Sequence, residues 1–167
     1  MTGKEALLER LRREAPGDKQ TVQEYWERQT QEWIDDLQSL METLAGWLDQ
    51  AEQEGLLSVE RQHVELAEED LGPYDVPALA IHLRTTHPRI IRVHPRGLRI
   101  VGVIVAGDHR IVGARGRVDI TCGAGRTMLL RFKDKDHETS WSVIQPDGTG
   151  VPLTEDGFSD VLNELTA

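Results

Sequence analysis

Residues 26–51, WERQTQEWIDDLQSLMETLAGWLDQA, decide the fold class, because their apolar side chains return every three or four positions. Trp26, Thr30, Trp33, Leu37, Leu40, Leu44, Trp47 and Ala51 make one seven-residue repeat, flanked by Ile34, Met41 and Leu48. This is the spacing of an amphipathic helix whose stripe is wide enough to lie on a core, wider than a strict coiled-coil seam. Asp18 or Thr21 is placed to cap its start, and the pattern runs to Glu54. A helix of about 35 residues would run about 50 Å, beyond the roughly 40 Å expected across a domain of this size. Either Gly46 marks a bend or one end overhangs the core.

Upstream, Leu7, Leu8 and Leu11 predict a short amphipathic helix over Lys4–Glu14, broken by Ala15-Pro16-Gly17. Downstream of Gly55 the period changes to two. Leu79, Ile81 and Leu83, then Ile91 and Val93, then Val118, Ile120 and Cys122 alternate with other, mostly polar residues, the pattern of half-buried strands. Leu98–Val105 is apolar on both faces and predicts a central strand, with Gly107-Asp108 as its hairpin turn. Thr127–Lys133 and Thr139–Ile144 add two more strands, and Pro146-Asp147-Gly148 turns the chain. Thr154 caps a last helix carrying Phe158, Val161, Leu162 and Leu165 on one face.

The connections are too short for helical crossovers, so the expected sheet is an antiparallel meander. The expectation is thus a single α+β domain over residues 1–167, helical through 1–56, β through 57–153 and helical again through 154–167. It has about five or six strands, with the long N-terminal helix and the short C-terminal helix packed on the sheet. The expected covered face is lined by Leu79, Ile81, Leu83, Val118, Ile120, Met128, Leu130 and Phe132.

Charge divides along the chain. Residues 18–72 hold 15 acidic and three basic side chains, whereas residues 73–140 hold 12 basic and six acidic ones. The acidic helix and the basic strands therefore either face each other within the fold or meet a charged partner. Arg84, Arg92, Arg99, Arg117, Arg131 and Lys133 are expected on outward strand positions. The net charge of -10 and the scarcity of aromatic residues there oppose nucleic-acid binding. Cys122 is the single cysteine, which excludes an internal disulfide and suits a reducing, cytoplasmic setting. The first 15 residues lack the apolar run of a secretory signal, and no stretch is long enough to span a membrane. Fifteen arginines against four lysines fit a GC-rich, bacterial source.

Chemistry-bearing patterns are sparse. The glycine clusters Gly113–Arg117 and Gly123–Arg126 match neither phosphate-binding signature and sit where hairpin turns belong. Cys122 continues an inward series, and no nucleophile elbow is present. His82 and His94 are expected on one outer face, but none of the six histidines has metal-ligand spacing, so no cofactor or metal is expected. Gly116-Arg117-Val118-Asp119-Ile120, followed by Leu129-Leu130-Arg131-Phe132-Lys133, resembles the central hairpin of PD-(D/E)XK nucleases. That resemblance implies a metal-holding carboxylate at Asp119 and a water-assisting amine at Lys133. Arg131 stands where the second carboxylate belongs, so the implied site is degenerate.

By elimination the sequence points to a non-enzymatic protein-binding domain, an adaptor or a toxin-neutralising immunity-type protein, with an acidic helical surface. Its partner is another protein. The overhanging stripe also invites a second copy of the chain, with Trp26, Trp33, Leu40 and Trp47 as the expected anchors. A degenerate nuclease or nucleic-acid-binding module, or an enzyme of unrecognised type, is the alternative.

Overall fold

The computed structural model describes residues 2–14, 19–69, 71–99 and 113–167. Helix α1 (Gly3–Glu14) precedes α2 (Lys19–Trp47) and the short α3 (Asp49–Gln53). Strands β1 (Leu57–Glu68), β2 (Gly72–Leu83), β3 (Arg89–Gly97), β4 (Arg117–Cys122), β5 (Gly125–Lys133), β6 (Thr139–Ile144) and β7 (Gly150–Pro152) follow, and α4 (Glu155–Thr166) closes the chain. Among the described residues the strands form one antiparallel sheet of seven in chain order, so the meander is longer than the five or six strands expected. The two added strands are β1 and β7. In β1 the apolar positions change parity, from Leu57 and Val59 to Val64 and Leu66, which breaks the alternation that would have revealed it. The central strand and turn expected over Leu98–Val105 and Gly107-Asp108 lie, apart from Leu98 and Arg99, outside the described residues, as do the break at Ala15-Pro16-Gly17 and the Asp18 cap.

Helix α2 both overhangs and ends early. At 29 residues it is about 44 Å long. Its first fully buried residue is Trp33, followed by Leu37, Leu40, Met41 and Leu44, so the N-terminal third projects past the buried face. At the other end the helix stops at Trp47. Leu48 leaves helical geometry at φ -95° and ψ 0°, its N–H donates to the carbonyl of Ala45, and the chain restarts as α3. Gly46, exposed on the outer side one residue before the end of α2, weakens the helix where it turns back onto the core.

The face under α2 follows from register, since directly paired residues share a side of the sheet. Leu79 pairs with Val93, Ile81 with Ile91, Val93 with Ile120, Val118 with Leu129, and Leu129 with Val143. All of these are buried. Met128, Leu130 and Phe132 therefore lie on the opposite face, contrary to expectation. The tight turn at Gly123-Ala124, with Gly123 at φ 58°, pairs Cys122 with Gly125 and puts the odd positions of β5 beside the even positions of β4. Alternation alone could not choose, because Leu129 and Leu130 are both fully buried. Helix α4 begins where expected: the Thr154 hydroxyl accepts the Gly157 N–H at 3.0 Å, and Phe158 packs 6.0 Å from Trp47, centroid to centroid.

Candidate interaction surface

The inner side of α2 holds a polar node. Asp36 lies above the sheet, and its Oδ2 accepts from Arg131 Nε at 2.8 Å, Arg131 Nη2 at 2.5 Å and Thr139 Oγ1 at 2.8 Å, with Lys133 Nζ at 3.0 Å. Arg131 also donates from Nη1 to the Arg115 carbonyl at 2.8 Å, and its guanidinium stands 5.4 Å from the centre of the Trp33 ring. Burial pushes the Asp36 carboxyl up, but hydrogen bonds from Arg131, Lys133 and Thr139 outweigh it and hold the group below the usual carboxylate range. Arg131 and Lys133 are thus beneath the helix, not on the outward positions expected for them. The pairing of an acidic helix with basic strands, one of the two readings of the charge division, is realised here, whereas the pair of Arg61 with Glu42 lies within the acidic stretch itself.

The node also separates the residues of the nuclease-like hairpin. Asp119 pairs with Met128, so it lies on the face opposite Lys133. There it is buried, held by Arg117 at 2.8 and 3.1 Å and flanked by Arg96 at 3.7 Å. Asp119 and Lys133 cannot converge on one metal ion across the sheet. His82 and His94 do share a face, but His82 is bonded to Glu60 at 2.9 Å, and no His/Cys/Asp/Glu group of metal-binding size occurs among the described residues. Burial lowers the affinity of the His94 ring for a proton. Asp119 acts against that, and Arg96, Arg92 and Arg117 reinforce it.

The expected anchors separate into two classes. Trp33 and Leu40 are inside the chain's own core, 0% and 3% exposed, and are not available to a partner. Trp47 is half-buried against Phe158. Trp26 is half-buried on the overhanging part of α2, with Tyr25 edge-on at 5.1 Å and the Arg99 guanidinium 4.9 Å from its ring centre. Arg99 is set there by Glu68, whose carboxylate accepts the N–H groups of Leu98 and Arg99 at 3.1 and 2.9 Å and the hydroxyl of Tyr74. Burial, and then the Glu68 carboxylate, push the Tyr74 phenol far above its usual range, so it remains a donor. Sequence spacing gave no sign of this Glu68 clamp, which joins Glu68 and Tyr74 to Leu98 and Arg99, 30 and 31 residues beyond Glu68.

Trp26 lines two surface depressions. One, about 730 Å³, is bounded by Val22, Trp26, Glu27, Thr30, Leu71 and Gly72. The other, about 340 Å³, is bounded by Tyr25, Trp26, Gln29, Leu98, Arg99 and Arg115. Along the outer ridge of α2, Glu24, Glu27, Asp35 and Glu42 are exposed. The arrangement offers an aromatic anchor and apolar walls, with Glu27 bordering one depression and Arg99 and Arg115 bordering the other. Set against protein-family models, curated proteins and solved structures, the chain matches none of them. No helix among the described residues is long and apolar enough to cross a membrane.

Proposed function

We propose that the chain is a protein-binding domain, an adaptor or immunity-type protein, that receives a basic, partly apolar segment of another protein on the overhanging half of α2. The observation that carries this reading is Trp26, half-buried between two depressions on a helix end whose outer ridge is acidic. A half-buried aromatic ring supplies affinity, and the acidic outer ridge of α2 supplies steering towards a cationic partner.

Affinity capture from the native host, comparing wild type with Trp26→Ala and with Glu27→Lys/Asp35→Lys, tests it. A stoichiometric protein should be retained by wild type, weakened at least ten-fold by either variant, and unaffected by Glu155→Lys/Asp160→Lys on α4. Capture that is indifferent to Trp26 and to the α2 acids, or salt-sensitive binding of duplex DNA tighter than about 10 μM, defeats the reading.

A further inference from the structure

We propose that β1 is the edge through which two copies of the chain pair antiparallel, centred on His63, joining two seven-stranded sheets into one. The two ends of the sheet differ. The β7 edge is three residues long and contains Pro152, both of which discourage pairing. The β1 edge is 12 residues long and contains no proline, glycine or lysine, and its register with β2 is unbroken from Leu57 to Glu68. Beyond Val59, the protection it carries among the described residues is charge.

The direction of its backbone groups follows from one bond. The N–H of Arg84 donates to the carbonyl of Leu56, so even-numbered positions of β1 bond to β2 and odd-numbered positions direct N–H and C=O away from the sheet. One of these outward groups is already satisfied, since the Val59 N–H donates to Glu52 at 2.7 Å. Beyond it come Arg61, His63 and Glu65, all exposed.

Their charges are self-complementary. In an antiparallel pair centred on His63, Arg61, which also bonds Glu42 of its own chain at 3.0 and 3.2 Å, stands opposite Glu65 of the second copy, and Glu65 opposite its Arg61. Odd positions then meet odd positions, which are the ones with outward backbone groups, so the same register that matches the charges also forms about six backbone hydrogen bonds. Registers displaced by two residues either way lose this match, placing His63 opposite Arg61 in one and opposite Glu65 in the other. A two-fold axis through His63 makes the contact isologous and closed, which ends association at the dimer.

Sedimentation equilibrium of the full chain at tens of micromolar tests this. The expected mass is about 38 kDa, twice the 18.8 kDa of one chain. His63→Pro removes an outward N–H without touching the bonds to β2, and should raise the dissociation constant at least ten-fold while circular dichroism stays native. Arg61→Glu and Glu65→Arg should each do the same by opposing like charges, and the double exchange Arg61→Glu/Glu65→Arg should restore the dimer. If His63→Pro unfolds, these surface charge variants decide. A monomer at 100 μM overturns the proposal. So does a dimer that survives the single reversals, or one lost on Trp26→Glu alone, which would place the interface on α2. None of these results depends on whether α2 binds a different protein.

Discussion

Replacing Asp36 by Ala should be far more damaging than replacing Arg131 by Met, although the two side chains form one ion pair. The asymmetry follows from what each deletion leaves behind. Arg131 is 2% exposed and Asp36 is 20% exposed. Without Asp36, the Arg131 guanidinium keeps the Arg115 carbonyl and the Trp33 ring among the described residues, and Lys133 loses its Asp36 partner, so a buried cation stands without a counter-charge from Asp36. Breaking a buried pair in this way costs about 3–5 kcal/mol, and partial access of water to the Asp36 side places the loss near 3 kcal/mol. For a chain of this length that is a fall in Tm of about 6–12 °C. Without Arg131, Asp36 retains Lys133 and Thr139, and Met fills the space beside Trp33, so the cost should stay below about 2 kcal/mol. The double variant Asp36→Leu/Arg131→Met should recover most of the Asp36→Ala loss, since a packed apolar pair is often as stable as a buried ionic one. Urea unfolding of the four proteins gives these differences, and adding Asp36→Leu alone closes the double-mutant cycle. A loss under about 1 kcal/mol for Asp36→Ala would show that water already solvates the node and would refute the argument.

Acid should act through the same carboxylate. Its folded pKa lies below the unfolded value of about 3.9, so its contribution is present above that pH and disappears as pH falls through the folded pKa. Between pH 5 and pH 2 the unfolding midpoint of Asp36→Asn should therefore fall less than that of wild type, and equal slopes would count against it. Gly116→Ala should destabilise strongly, by about 2 kcal/mol or more, because φ is +146° and a Cβ there would sit 2.3 Å from the Trp33 ring. A Tm within 1 °C of wild type would say that Trp33 moves freely. Removing residues 2–14 should change the Tm by less than about 2 °C, since α1 contributes no buried residue and leaves Leu7, Leu8 and Leu11 exposed; a larger drop would place α1 against the core.

Local periodicity carried much of this architecture. The α2 stripe, the strands at Arg117–Cys122 and Thr139–Ile144, the Thr154 cap and the antiparallel order of the meander were legible, because helix and strand periods and short connections are properties of neighbouring residues. The tertiary structure decided what depends on residues far apart. Parity in β5 needed the pairing of Val118 with Leu129, since two adjacent buried leucines suit either face. The fate of the tryptophans needed the length of sheet actually available under α2, which encloses Trp33 and leaves Trp26 at the surface. The role of Arg131 needed Asp36, 95 residues away, to turn an expected surface charge into a buried pair. Side chains on one stripe look alike in sequence, and only the surface laid against them determines which are core and which remain open to a partner.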